Sequence, residues 1–123
     1  MMGALVILDA YNCRNMPESR DQLLEFALKA VQDAEMHPIE TVARHFSEED
    51  HRDNHGDSII TLIVPLKESH LAVHTWPHYR FVSADLYTCG NPKLAQQAVE
   101  VLRDRLQPEW HEMGTYPRGL HIA

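Results

Sequence analysis

Three short segments of β-type sequence follow one another in the middle of this 123-residue chain, and they restrict its fold more than any other feature. Ser58–Val64 is rich in β-branched residues, and Ser69–Trp76 and Phe81–Tyr87 follow it. The breaks between them, Pro65–Glu68 and Pro77–Arg80, are short and begin with proline, which is typical of turns. Strands joined so closely pair as antiparallel hairpins, because a parallel crossover needs a dozen or more residues.

Two helices are predicted, one on each side of these strands. Ser19 begins a capping box, and an apolar stripe at helical spacing follows it to about Met36, after which a proline prevents continuation. Asn91 is suited to cap the second helix, with Pro92 in its first turn. The stripe of this second helix stops before Pro108.

Three further strands are predicted at residues 3–10, Ile39–Phe46 and Glu109–Tyr116. The resulting order, β-α-β-β-β-β-α-β, predicts an α+β fold, an antiparallel sheet with two helices on one face (a two-layer α/β sandwich). The chain length predicts a single domain over residues 1–123.

Composition excludes several classes of function. The net charge is −7, and no stripe of Lys and Arg is available for phosphates, so no nucleic-acid partner is expected. No apolar run approaches the ~20 residues of a membrane span, and the first residues lack the features of a signal peptide, which predicts a cytoplasmic protein without a membrane partner. Cys13 and Cys89 are interpreted as free thiols.

The second hairpin predicts which reactive side chains lie together. A turn centred between His78 and Tyr79 places Ser69 opposite position 88, with Cys89 across from Ser69 or diagonal to it. His74 lies further along the strand of Ser69, about 16 Å away at 3.3 Å per residue.

The first hairpin, centred near residues 66–67, places Thr61 opposite Ala72 and diagonal to His74. One chain is therefore expected to hold two half-sites, Ser69 with Cys89 and Thr61 with His74. A two-fold homodimer could bring one half-site from each subunit together.

Two segments resemble the bacterial and archaeal S-adenosylmethionine decarboxylases. Residues 68–77, ESHLAVHTWP, and residues 84–90, ADLYTCG, are similar to the family pattern ESHxxxHTWPE followed by VDx(F/Y)TCG. Residues 9–13, DAYNC, resemble a D-x-Y-x-C segment after the first strand more weakly, and chain length and element order also match.

The resemblance implies that the chain is a precursor that cuts itself between Glu68 and Ser69. The Ser69 hydroxyl would attack the carbonyl of Glu68 to form an ester, and β-elimination would then leave a pyruvoyl group in place of Ser69. That group forms a Schiff base with the substrate amine and accepts the electrons released with carbon dioxide, so neither PLP nor a metal is expected. The implied product belongs to polyamine (spermidine) biosynthesis.

The resemblance also implies roles for single residues. His74 matches the base that drives elimination, and Thr61 stands where the family has a serine that assists processing. Cys89 matches the proton donor, and Glu68 matches a residue whose carboxylate stays in the active site. The family implies a homodimer with active sites shared across the interface and a small substrate of the amino-acid type.

One position departs from the family pattern. The glutamate after HTWP, which binds both ribose hydroxyls of the substrate, is His78 here, and a neutral imidazole offers at most one acceptor. This departure keeps ornithine or arginine open as the substrate. A non-catalytic homologue that never cleaves also remains open.

A histidine-rich acidic loop suggests an alternative function. His45, His51 and His55 with their carboxylate neighbours could form a metal-binding or small-molecule-binding module. A solvated loop over residues 47–57 is the simpler expectation, and no metal site is predicted.

Overall fold

The computed structural model describes residues 2–39, 41–46 and 59–122. The acidic loop expected over residues 47–57, with His51 and His55, lies outside these residues. The elements are β1 (Gly3–Cys13), α1 (Arg20–Asp33), β2 (Val42–Phe46), β3 (Ile59–Leu66), β4 (Ser69–Trp76), β5 (Phe81–Thr88), α2 (Pro92–Leu106) and β6 (Pro108–Arg118), with a single 3-10 turn, Pro77–Tyr79, between β4 and β5.

The strands form one six-stranded antiparallel sheet in the order β2-β3-β4-β5-β1-β6. The first strand of the chain is inserted between β5 and β6, so it pairs with two strands from the other half of the sequence. The two helices pack on each other, α1 against β2 and β3 and α2 against β1, β5 and β6. The expected α+β fold, with two helices and an antiparallel sheet, is confirmed.

The core lies between one face of the sheet and the helices. Alternate strand residues are buried there, including Leu8 in β1, Leu71 in β4 and Leu86 in β5. They pack in one cluster with Leu23 of α1 and Leu102 of α2. On the opposite face of the sheet, here called the open face, the described residues form no second layer.

The first helix begins where the capping box predicts and ends earlier than the apolar stripe predicts. Ser19 Oγ accepts from the amide of Gln22 at 3.1 Å. At the other end Glu35 takes a left-handed φ of 61°, and the amide of Met36 donates to the carbonyl of Val31 at 2.8 Å. This is a Schellman ending, which closes the helix before the proline that was expected to stop it.

The predicted register is correct for the second central hairpin and wrong for the first. Ser69 lies opposite Thr88, as the sequence predicts. The first hairpin was misassigned, because Thr61 lies directly opposite His74 and not opposite Ala72. Its turn consists of Lys67 and Glu68 alone.

Pro65 explains the misassignment. It was interpreted as the start of the turn, but it belongs to β3 and pairs with His70. The carbonyl of Pro65 accepts from the amide of Ile39, on the side of the strand away from β4. Since the N and C=O of one strand residue point to the same side, the missing N–H of Pro65 interrupts no bond to β4.

Candidate active site

Ser69 is the first residue of β4, directly after the two-residue turn. The end of β5 holds that turn in place, because the amide of Cys89 donates to the carbonyl oxygen of Glu68 at 2.9 Å. The amide of Lys67 donates to the carbonyl of His37 at 3.3 Å. The Glu68–Ser69 peptide is therefore anchored from two sides.

The Ser69 side chain lies on the helix-covered face and has a side-chain partner that the sequence analysis did not assign. Its hydroxyl donates to Thr88 Oγ1 at 2.7 Å. Thr88 is 1% exposed, and the same oxygen accepts from the amide of Gly90 at 2.9 Å. The available signal was a polar residue at a buried strand position, since such groups are almost always hydrogen-bonded.

A cleft of about 260 Å³ opens beside Ser69. Its walls come from the end of α1, from the β3–β4 turn and from the start of α2, and they include Glu35, His37, Lys67, Glu68 and Asn91. The cleft gives the Glu68–Ser69 peptide room for a small ligand on its helix-covered side.

His74 and Thr61 form a second cluster on the open face. Thr61 Oγ1 and His74 Nδ1 are 3.3 Å apart, so the hydroxyl donates to Nδ1 when the imidazole proton is on Nε2. Both side chains are half-buried. Because β4 is continuous and side chains alternate along it, Ser69 and His74 point to opposite faces. The chain brings Thr61 to His74 but does not bring His74 to its own Ser69.

The two cysteines lie in contrasting surroundings. Cys89 is exposed and follows the last residue of β5. Cys13 is fully buried, and its thiol donates to the carbonyl of Ala10 at 3.5 Å. Burial raises the pKa of the Cys13 thiol to about 11, and the nearby charge of Arg80 offsets only part of this.

His78 lies at the far end of β4 from Ser69, in the 3-10 turn. Its ring meets that of Tyr79 edge-on at 5.1 Å between centroids. Beside this turn is a cleft of about 570 Å³ whose walls include Tyr11, Trp76, Tyr79, Phe81 and Trp110. One chain therefore does not bring His78 to its own Ser69.

Within the described residues, His, Cys, Asp and Glu side chains form no cluster suited to a metal ion. Neither helix in these residues is long and apolar enough to cross a membrane.

Comparison with known proteins gives a family match, two curated relatives and a solved structure that each cover nearly the whole chain. The family model described as S-adenosylmethionine decarboxylase matches residues 4–119. An S-adenosylmethionine decarboxylase proenzyme of Aeropyrum pernix is 32% identical over 98% of this chain and 86% of its own length. The proenzyme of Archaeoglobus fulgidus is 27% identical over 97% of this chain and 99% of its own. The crystal structure of the adenosylmethionine decarboxylase from Aquifex aeolicus superposes with a TM-score of 0.82 at 25% identity, over 97% of this chain and 92% of that one.

The contrast between the cysteines predicts selective alkylation. At pH 8, iodoacetamide should modify Cys89 at least about 100-fold faster than Cys13, because the thiolate is the reactive form. Burial and a raised pKa keep Cys13 protonated and covered. Peptide mass spectrometry measures both rates, and unfolding in guanidinium should make them similar. Fast labelling of Cys13 in the folded protein would contradict its burial.

Proposed function

The chain belongs to the S-adenosylmethionine decarboxylase family and is therefore a carboxy-lyase, and from that premise we propose that it is a proenzyme activated by cleaving itself between Glu68 and Ser69. We propose S-adenosylmethionine as the substrate of the mature enzyme. Its decarboxylated product is an aminopropyl donor for polyamines such as spermidine.

The observation that best supports self-cleavage is the hydrogen bond from the amide of Cys89 to the carbonyl oxygen of Glu68, 2.9 Å long. The carbon of this carbonyl is the atom that a hydroxyl must attack. Attack places negative charge on the oxygen, and a backbone N–H already aimed at it stabilises that charge without reorganisation. The Ser69 hydroxyl belongs to the next residue, so nucleophile and electrophile are adjacent.

The proposed cleavage proceeds in two stages. Ser69 Oγ bonds to the carbonyl carbon of Glu68, the C–N bond breaks, and the hydroxyl proton ends on the freed nitrogen of Ser69. A base then removes the α-hydrogen of Ser69, and the Cβ–O bond breaks to release the carboxylate of Glu68. Tautomerisation and hydrolysis by water release ammonia and leave a ketone at the new N-terminus, residue 69.

The residues around Ser69 fit a pyruvoyl group at this place. The cleft of about 260 Å³ beside Ser69 gives space to a substrate amine next to the new terminus. A ketone conjugated to an amide supplies the electron sink for decarboxylation, which no side chain of the twenty amino acids provides.

Cys89 and Glu68 are proposed to serve the later chemistry. Cys89 would return a proton to the substrate carbon after carbon dioxide leaves, and its exposed position beside the turn allows it to reach a ligand there. The carboxylate of Glu68 lies beside Gly90, since a Cβ added to this glycine would be 3.5 Å from Glu68 Oε2. This position supports the proposed contact between Glu68 and substrate at the same end of β5.

We propose that the base for elimination, His74 with Thr61 beside it, comes from a second copy of the chain. The open face that holds His74 also holds Ile63, Trp110 and Tyr116, which are 41%, 57% and 53% exposed. Apolar exposure of this kind favours burial against another sheet. The α-hydrogen of Ser69 projects from Cα in a different direction from Cβ, so a base on the partner need not reach the helix-covered side.

The central test is Ser69→Ala. This chain should remain a single species of 14.2 kDa, whereas the wild type should give two fragments and release carbon dioxide from S-adenosylmethionine. Ser19→Ala is the matched control, since it removes a helix cap worth about 1 kcal/mol but no reacting group. Gel mobility, intact mass and labelled carbon dioxide give the readouts. Cleavage at residue 68 in Ser69→Ala would refute the proposal.

The substrate panel for the wild type should include ornithine and arginine. Replacement of the ribose-binding glutamate by His78 is the observation that makes these two amino acids worth measuring. If the wild type cleaves itself and then decarboxylates ornithine or arginine but not S-adenosylmethionine, that amino acid replaces S-adenosylmethionine as the proposed substrate.

Cys89 has its own test. Cys89→Ala should still cleave, but its turnover of S-adenosylmethionine should fall about 100-fold or more, the usual contribution of a placed proton donor. Cys13→Ala is the control thiol, because Cys13 is buried away from Ser69 and should leave kcat per folded enzyme unchanged. Chromatography of the products should show some misprotonated carbonyl product for Cys89→Ala only. Unchanged turnover in this variant would exclude Cys89 from the chemistry.

Mixing two inactive chains tests whether the active site is shared. Ser69→Ala and His74→Ala chains should each stay uncut alone. In a mixed dimer one site combines the intact Ser69 of one chain with the intact His74 of the other, so the His74→Ala chain should be cleaved. Fragment masses identify which chain was cut, and native mass spectrometry confirms the mixed dimer. A confirmed mixed dimer without any cleavage would show that His74 does not act across the interface.

A further inference from the structure

We infer that Thr88 is a positioning residue for self-cleavage, which orients the Ser69 hydroxyl for attack on Glu68. This inference rests on the proposed function and adds a residue to it. Thr88 contacts Ser69 through the 2.7 Å hydrogen bond between their side-chain oxygens.

Thr88 is held rigidly enough to orient another group. It lies in β5 between two neighbouring strands, with Ser69 opposite it in β4 and Ala4 opposite it in β1. Its side chain is 1% exposed, and the amide of Gly90 donates to Thr88 Oγ1 at 2.9 Å. A hydroxyl oxygen accepts two hydrogen bonds, so the second acceptor site of Thr88 is directed to Ser69.

The last residue of β5 and the residue after it thus hold the Ser69 hydroxyl and the Glu68 carbonyl oxygen. The side chain of Thr88 holds Ser69 Oγ, and the backbone amide of Cys89 holds the carbonyl oxygen of Glu68. A serine side chain has three staggered rotamers, and only some direct Oγ towards the preceding carbonyl carbon. Restricting this choice raises the fraction of chains in which the two atoms can react.

Thr88 itself exchanges no proton in this step. It accepts the O–H of Ser69 and leaves a lone pair of Oγ available for the new bond to carbon. The C–N bond then breaks and the hydroxyl proton ends on the nitrogen of Ser69, so Thr88 is unchanged. After cleavage the Ser69 hydroxyl no longer exists, and this task of Thr88 is finished.

The role therefore predicts a larger effect on maturation than on turnover. Loss of the Thr88 hydroxyl should slow cleavage by a greater factor than it changes kcat per mature active site. A side chain that only stabilised the fold would alter neither cleavage nor turnover beyond its effect on the amount of folded protein.

The test compares pairs of variants that differ by one hydroxyl. Thr88→Val removes the hydroxyl and keeps the shape, and Thr88→Ser keeps the hydroxyl. Thr75→Val is the matched control, because Thr75 is also fully buried in the sheet and its Oγ1 accepts from the amide of Ile60 at 3.1 Å. Full-length chains are made by cell-free synthesis, and cleavage is followed by gel and intact mass.

Thr88→Val should cleave about 10- to 100-fold more slowly than the wild type, the range that misplacement of a reacting group produces. The cleavage rates of Thr88→Ser and Thr75→Val should both stay within about threefold of the wild-type rate. Thr75→Val and Thr88→Val should nevertheless lower Tm by similar amounts. If Thr88→Val does not fold, Thr88→Ala against Thr88→Ser gives the same one-hydroxyl comparison.

Wild-type cleavage rates in Thr88→Val, or equal slowing in Thr88→Ser, would overturn the role of Thr88 and leave the proposed function standing. A wild-type chain that stays uncut, like Ser69→Ala, would instead refute the proposed function itself, and with it the step that Thr88 is inferred to assist.

Discussion

The arrangement of the site depends on one backbone contact, the hydrogen bond from the amide of Cys89 to the carbonyl of Glu68. It ties the β3–β4 turn to the end of β5 and continues the pairing that places Thr88 opposite Ser69. A shift of one residue in this pairing would turn the Thr88 side chain to the other face of the sheet. Register in the second hairpin therefore determines whether Ser69 has a partner at all.

The two-residue period of a strand is the second constraint. Ser69 and His74 lie an odd number of positions apart on β4, so the helix-covered face receives the hydroxyl and the open face receives the imidazole. No side-chain rotation within one protomer changes this. The same geometry that packs a hydrophobic core on one side of the sheet thus separates the two half-sites, which is why the proposed mechanism takes its base from a second copy of the chain.

Much of the fold could be predicted from the sequence because its determinants are local. The caps at Ser19 and Asn91 and the register of the second hairpin follow from residues within a few positions of each other. The first hairpin was misassigned because the effect of Pro65 depends on which side of β3 its nitrogen faces, which is a tertiary fact. The hydrogen bond between Thr88 and Ser69 was not predicted, because threonine favours strands whether or not its hydroxyl has a hydrogen-bond partner. The roles proposed for His74 and Cys89 rest on the family resemblance and not on spacing.

The position of β1 determines whether the two fragments of the cleaved protein can separate. A cut between Glu68 and Ser69 would leave β1 and β3 in one fragment and β4, β5 and β6 in the other. In the sheet, however, β1 lies between β5 and β6, and β3 lies beside β4. Strands of the two fragments would thus be interleaved in one sheet. Separating the fragments would require breaking three strand pairings at once, β1 with β5, β1 with β6 and β3 with β4. Maturation would be a one-way event, because the fragments could neither exchange between molecules nor reassemble without refolding together.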